Sequence, residues 1–118
     1  MRILLVEDEA GQADGFLRFL RGAGHEVDHA ATTDRAMKLL KAKTYDAAAV
    51  DLCLAAGMGD VVAVEAARKG VRTVLMSASD LTTLNDEADA IRLTGVELAG
   101  AVQKPLPASE LLKALEGR

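Results

Sequence analysis

Near its N-terminus the chain reads Ile3-Leu4-Leu5-Val6, followed at once by Glu7-Asp8. An apolar run without polar alternation predicts a strand that is covered on both faces, as in the parallel sheets of α/β proteins. The same kind of run recurs at Ala47 to Val50 and at Val74 to Met76, and a polar residue again follows each run. Weaker strand candidates are Glu26 to His29 and Ala101 to Gln103. The chain is therefore predicted to contain five strands.

Apolar residues at helical spacing lie between these strands. Ala13, Phe16, Leu17 and Leu20 fall at i, i+3, i+4 and i+7, which predicts a first helix ending near Gly22. The other four helices are predicted from Ala36, Leu39 and Leu40; from Val61, Val62, Val64 and Ala66, before Gly70; within Leu81 to Thr94; and from Leu111, Leu112 and Leu115. Strands alternating with helices predict an α/β fold with one five-stranded parallel sheet, as a single domain over residues 1–118.

Composition limits the function classes. The 118 residues include 14 Lys and Arg against 18 Asp and Glu, a net charge of -4, and no basic block, which argues against direct nucleic-acid binding. The one cysteine, Cys53, cannot form an internal disulfide, so a reduced cytoplasm is expected. The first apolar run is too short for a signal peptide, and no stretch is long enough to span a membrane.

Polar side chains follow four of the five predicted strands: Glu7-Asp8, Asp51, Ser77-Ala78 and Lys104-Pro105. Ligands of open parallel sheets bind beyond the carboxyl ends of the strands, so these groups are expected to converge. Three carboxylates repel one another by about 1 kcal/mol per pair even in water, so positive charge must be present. Lys104 supplies one charge, and a hard divalent cation, Mg²⁺ rather than zinc, would supply more. An aspartate beside a cation, a lysine and a hydroxyl is a good phosphoryl acceptor.

The order and spacing of these motifs resemble the receiver domains of response regulators in two-component signalling, along the whole chain. The resemblance implies a doubly wound, flavodoxin-like fold with strand order 2-1-3-4-5, in a stand-alone domain of bacterial, cytoplasmic type. It also implies a phosphorylation switch rather than an enzyme, with at most self-phosphorylation from small phosphodonors and autodephosphorylation. The implied partners are a histidine kinase or phosphotransfer protein and an unknown downstream protein, with the chain a monomer or weak homodimer.

The resemblance also implies a role for each site residue. Glu7 and Asp8 would hold Mg²⁺, with Asp51 and the backbone carbonyl of Cys53 completing the protein ligands. Asp51 would accept the phosphoryl group and Ser77 would donate its hydroxyl to a phosphoryl oxygen. Lys104 would pair with Asp51 or its phosphate, and the Lys104-Pro105 peptide bond would be cis.

The sequence departs from the family pattern in three places. The segment from Leu54 to Asp60 has two glycines and no proline, which predicts a looser loop after Asp51. Ala101 stands three residues before Lys104, where the family usually has an aromatic residue that moves inward on phosphorylation. The stretch between Ser77 and Lys104 is longer than usual, which predicts a remodelled fourth helix or remodelled loops beside it.

Each residue also has an ordinary explanation. Glu7-Asp8 could cap the first helix, Asp51 could be a turn residue and Lys104 a surface lysine. Ser77 could be a helix cap, although Ser79 and Asp80 are better placed for that role. His25 and His29 are interpreted as surface residues on or near a strand, and Cys53 as a small residue beside the loop.

Two other functions compete with a phosphorylation switch. One is an interaction module of the same fold with a vestigial, unphosphorylated site. The other is an aspartate-nucleophile phosphatase of the haloacid dehalogenase type. That family needs a second aspartate two residues after the nucleophile, and Cys53 occupies this position.

Overall fold

The computed structural model describes residues 1–54 and 58–117. Five parallel strands form one sheet in the order β2-β1-β3-β4-β5. The strands are β1 (Arg2–Val6), β2 (Glu26–Ala30), β3 (Ala47–Asp51), β4 (Arg72–Ser77) and β5 (Gly100–Gln103). The helices in the described part of the chain are α1 (Ala10–Gly22), α2 (Thr33–Ala42), α3 (Gly59–Arg68), α4 (Leu81–Arg92) and α5 (Ala108–Glu116). The predicted fold class, strand order and sequence of elements are confirmed.

Alternate side chains of each strand point to opposite faces of the sheet. Both faces carry apolar side chains, and helices cover both of them. On one face Ile3 and Leu5 pack with Phe16 of α1 and Leu111 of α5. On the other face the core residues Leu4, Val6, Ala48 and Val50 pack with residues of α2, α3 and α4. All five residues of β3 are buried. The continuous apolar runs in the sequence therefore reflect a sheet with two covered faces.

The buried residues of helix α3 differ from the apolar residues that predicted the helix. Gly59, Val62, Ala63 and Ala66 are its buried residues, at the spacing i, i+3, i+4 and i+7. Val61, one of the apolar residues from which this helix was predicted, is 42% exposed and lies outside the buried stripe. The close approach of Gly59 to the backbone of β3 fixes the rotation of the helix, and this rotation leaves Val61 outside the apolar stripe.

The observed helix caps test the alternative explanation that Glu7, Asp8 or Ser77 caps a helix. The side chain of Glu9, not Glu7 or Asp8, caps α1 by accepting hydrogen bonds from two backbone amides of the first turn. Asp80 caps α4 by accepting from the amide of Thr83, as the spacing indicated. Glu7, Asp8 and Ser77 therefore do not serve as the side-chain caps of these helices.

The strand order reverses between β1 and β3, because β2 lies on one side of β1 and β3 on the other. In open α/β sheets the crevice at such a reversal is where ligands bind. Val6 pairs with Val50 in the register of β1 and β3, so the residues that follow both strands reach the same edge together. None of the helices within residues 1–54 and 58–117 has the length and apolar character needed to cross a membrane.

Candidate active site

The five residues predicted to contribute a side chain to the site lie at the carboxyl edge of the sheet. Glu7 and Asp8 follow β1, Asp51 ends β3, Ser77 ends β4 and Lys104 follows β5. The backbone amide of Lys104 donates to the carbonyl of Ser77 at 2.8 Å, which continues the pairing of β4 and β5 past the last residue of β5. The Lys104-Pro105 peptide bond is cis, as the family resemblance implied.

Lys104 joins the two acidic strand ends. Its Nζ donates to Glu7 Oε1 at 2.5 Å and to Asp51 Oδ2 at 2.7 Å. The three side chains are only 8%, 0% and 3% exposed, respectively, so water screens these ion pairs weakly. Since a buried carboxylate is costly without a partner, Lys104 is what allows Asp51 to be charged at this position. The predicted contact of Lys104 with Asp51 is confirmed.

The carboxylates of Glu7, Asp8 and Asp51 form a compact cluster. One oxygen from each lies within 4.8 Å of the other two, and Asp8 is more exposed than its neighbours. The ligand atoms that this cluster offers are all hard carboxylate oxygens. Such a donor set suits a hard divalent cation, which takes oxygen ligands and retains waters. The partial exposure of Asp8 leaves a path to solvent for those waters.

Burial and hydrogen bonding shift the pKa values of Glu7 and Asp51 in opposite directions. Burial raises the pKa of Glu7 above its ordinary value, and the hydrogen bond with Asp51 raises it further. Burial alone would raise the pKa of Asp51 too, but hydrogen bonds with Glu7, Lys104 and the Cys53 amide outweigh burial and lower it. Burial would lower the pKa of Lys104, whereas its bonds to Asp51 and Glu7 raise it. Of the two carboxyl groups, Glu7 is therefore the weaker acid and Asp51 the stronger, and both face the ammonium group of Lys104.

Ser77 and Cys53 complete the surroundings of Asp51. The backbone amide of Cys53 donates to Asp51 Oδ1 at 2.8 Å, so both carboxylate oxygens of Asp51 accept hydrogen bonds. Ser77 is fully buried, and its Oγ accepts from the amide of Ser79 at 3.1 Å. The sulfur of Cys53 lies 3.5 Å from Ser77 Oγ. Cys53 is thus more than a small residue beside a loop, because it contacts two of the site side chains.

Gly59, the second glycine of the segment after Asp51, packs closely on the end of β3. A Cβ at this position would overlap the carbonyl oxygen of Asp51 and lie 2.9 Å from both the Asp51 carbonyl carbon and Leu52 Cα. The second glycine of the segment therefore marks a close packing of α3 on the backbone of Asp51. The prediction for the first glycine and the two alanines before it, 55–57, concerns positions outside the described residues.

The two histidines, which were interpreted as surface residues rather than a metal site, are partly exposed and make specific contacts. His29 Nε2 lies 2.6 Å from the backbone carbonyl of Glu7 and is partly buried. The side chain of His25 is only 12% exposed and lies 3.7 Å from Glu116. Both contacts join segments more than 20 residues apart. The spacing of residues in the sequence did not predict either contact. The one available signal was that His29 lies near the end of a predicted strand, as the acidic pair Glu7-Asp8 does.

Ala101 lies in β5 opposite Leu75 of β4 and packs against the core on the face of α2, α3 and α4. A methyl group therefore occupies the place of the aromatic residue that the family pattern leads one to expect. Phosphorylation cannot move an aromatic side chain at this position.

The strand order and the helices on both faces define a CheY-like, flavodoxin-like fold. The model of the response regulator receiver domain family matches residues 3–116, and the chain belongs to this family. Receiver domains in general are signalling switches rather than classical enzymes, and they interact with histidine kinases or phosphotransfer proteins. No match was found in the comparison with curated proteins.

Solved structures of receiver domains resemble this fold throughout. A CheY-like receiver domain protein from Methanospirillum hungatei JF-1 superposes with a TM-score of 0.83 at 22% identity, over 98% of this chain and 90% of that one. The receiver domain of a sensor histidine kinase from Pseudomonas aeruginosa PAO1 has a magnesium ion in its active site cleft. It matches with a TM-score of 0.81 at 22% identity, over 98% and 94% of the two chains.

A response regulator from Burkholderia pseudomallei with a phosphorylated aspartic acid, a calcium ion and citrate is also similar. Its TM-score is 0.84 at 22% identity, over 97% of this chain and 65% of that one. At this level of identity the likeness establishes the fold.

Proposed function

We propose that the chain is a phosphoacceptor switch of a two-component system, which is phosphorylated on Asp51 with Mg²⁺ as cofactor. The observation that carries the proposal is the buried ion pair of Lys104 with Asp51, 2.7 Å apart, inside the cluster of three carboxylates. A carboxylate that is held ionised, hydrogen-bonded on both oxygens and flanked by an ammonium group is a nucleophile in a fixed position. Its surroundings also supply the positive charge that an incoming phosphoryl group requires.

In the proposed reaction a carboxylate oxygen of Asp51 attacks the phosphorus of a phosphohistidine. A new oxygen–phosphorus bond forms, the phosphorus–nitrogen bond breaks, and its electron pair returns to the donor imidazole. The product is an aspartyl phosphate. Lys104 would then donate to the phosphoryl oxygens, and Ser77, at the end of the neighbouring strand, would turn its hydroxyl toward them. Glu7, Asp8, Asp51 and the carbonyl of Cys53 would hold Mg²⁺, which when bound offsets the negative charge of the phosphoryl group.

The proposal includes the partners and the compartment. The donor would be a histidine kinase or a phosphotransfer protein, as for receiver domains in general. Residues 1–118 would act as one receiver domain, since the family match spans nearly all of them. The cytoplasm, where a thiol such as Cys53 stays reduced, would be the compartment. Any catalysis would be limited to self-phosphorylation from small phosphodonors and loss of the group by hydrolysis.

The decisive experiment is incubation of the protein with Mg²⁺ and acetyl phosphate, followed by peptide mass spectrometry. We expect one phosphoryl adduct, located on Asp51, that is absent from Asp51→Asn and absent when EDTA removes the cation. Asp86→Asn is the matched control, because Asp86 is an exposed aspartate on α4 away from the site, and it should be phosphorylated like the wild type. An adduct that persists in Asp51→Asn would contradict the assignment of the acceptor.

One observation favours a second candidate function, an interaction module with an unused site. Ala101 removes the aromatic half of the usual switch, so the fold could bind a partner without responding to phosphorylation. Absence of any adduct in the wild type, with Asp51→Asn binding the partner equally well, would support this module. The phosphatase alternative requires an acid at position 53, and turnover of a phosphomonoester by the protein would be needed to revive it.

A further inference from the structure

Cys53 contacts both the acceptor aspartate and the site hydroxyl. Its backbone amide holds Asp51 Oδ1 at 2.8 Å, while its sulfur lies 3.5 Å from Ser77 Oγ, a normal distance for a hydrogen bond that involves sulfur. The residue is exposed at the edge of the site, whereas Ser77 is fully buried. A change of the Cys53 side chain can therefore alter the surroundings of Ser77 without opening a cavity in the core.

The hydrogen bonds of Ser77 restrict where its proton can point. A serine hydroxyl has one hydrogen to donate and two lone pairs that accept. The amide of Ser79 occupies one lone pair of Ser77 Oγ at 3.1 Å. If the thiol of Cys53 donates to the other, both acceptor positions are filled. The hydroxyl hydrogen must then point away from Ser79 and from Cys53.

From this geometry we infer that Cys53 is a positioning residue for phosphoryl transfer, acting through Ser77. Its thiol donates to Ser77 Oγ and so leaves the hydroxyl proton available to the transferred group before that group arrives. The inference rests on the proposed function, because it assigns a task within the same reaction. In the opposite orientation the hydroxyl of Ser77 would donate to the sulfur of Cys53. Its proton would then not be available to the phosphoryl group, and Cys53 would hinder the transfer.

The two orientations predict opposite effects of removing the thiol. In Cys53→Ala the hydroxyl of Ser77 loses one partner, and its proton is no longer directed. We expect phosphorylation of Asp51 by acetyl phosphate at saturating Mg²⁺ to slow by about two- to fivefold, the worth of one modest hydrogen bond. Cys53→Ser keeps a donor at this position and should recover most of the rate. Faster phosphorylation of Cys53→Ala, or an unchanged rate, would overturn the inference.

A double-mutant cycle with Ser77→Ala separates positioning from a general structural role. If Cys53 acts through Ser77, Cys53→Ala should have no further effect in the Ser77→Ala background, whereas equal slowing in both backgrounds would overturn the inference. The affinity for Mg²⁺ should be the same in Cys53→Ala and the wild type, because only the backbone of residue 53 is proposed as a ligand. A wild type that takes no phosphoryl group at all would overturn the proposed function itself, and the inference with it.

Discussion

Replacing Gly59 by alanine should destabilise the protein, although the same change stabilises most helices. Gly59 is the first residue of α3, and an added methyl group would overlap the backbone carbonyl of Asp51. The Cβ is fixed to the backbone of α3 and the carbonyl belongs to the backbone of β3, so neither can move aside as a flexible side chain would. The helix must shift outward, the end of β3 must shift, or both.

The size of the effect follows from two opposing terms. Overpacking a close-packed contact costs about 1 to 3 kcal/mol, and alanine in place of glycine returns at most about 1 kcal/mol of helix propensity, less at a first helical position. The expected net loss is about 1 to 2 kcal/mol. With a denaturant slope typical of a small domain, the urea midpoint should fall by roughly 1 M. Because the overlap involves Asp51 itself, the folded variant should also be phosphorylated more slowly, by roughly tenfold or more.

The control is Gly15→Ala in the middle of α1. Gly15 is exposed, and a Cβ there would have no atom within 4 Å, so this variant should gain about 0.5 to 1 kcal/mol. Urea unfolding followed by circular dichroism, with acetyl phosphate labelling of each variant, measures both effects. A Gly59→Ala protein that is as stable as the Gly15→Ala variant and is labelled at the wild-type rate would refute the close contact of α3 with the acceptor residue.

Three further predictions concern the charged groups and the loops. Glu7→Gln should lower Mg²⁺ affinity by about tenfold or more. The raised pKa of Glu7 also makes the metal-free wild type lose stability as pH rises from 4.5 upward. This variant should abolish that loss, as measured by urea titrations without metal. Tyr45→Phe should cost about 1 kcal/mol at pH 7, since the hydroxyl donates to Asp28 at 2.7 Å. That hydrogen bond is the main cause of the lowered pKa of Asp28, so the cost should shrink as pH falls below 3.8 and through the lowered pKa of the folded state. A cost that is independent of pH across the acid unfolding range would contradict this origin. Beryllofluoride with Mg²⁺ should change amide exchange first in the loops after β3 and β4, and changes confined to the opposite edge of the sheet would contradict the proposed movement of Ser77.

The elements and the site composition could be predicted from the sequence because their signals are local. The short apolar runs that end in a polar residue at Glu7, Asp51 and Ser77 predicted covered strands, and the polar residue after such a strand lies at or near the sheet edge. Once the strands are parallel, Asp51 and Lys104 lie at the same edge of the sheet, and the order β3-β4-β5 brings them close enough to pair although 53 residues separate them in the chain. Topology therefore turned short-range patterns into a correct prediction of the cluster.

What could not be predicted depends on rotations and contacts between elements. The rotation of α3 is set by one backbone contact of Gly59, and periodicity could not choose it over a stripe that includes Val61. The complete burial of Glu7 and the bond of His29 to its carbonyl also depend on packing around β1 and β2 that no spacing encodes. The same holds for Cys53, whose two partners are known only once β3 and β4 are side by side.

The bond of Lys104 to Glu7 spans 97 residues and ties the first strand to the segment after the last. During synthesis Asp51 is made long before Lys104, its ion-pair partner. A chain that ends before Lys104 therefore contains Asp51 without the positive charge that stabilises its ionised form in the folded protein. Such a chain would be a poor acceptor from any kinase. Under the proposed function, Lys104 would make phosphorylation of Asp51 conditional on completion of the fold.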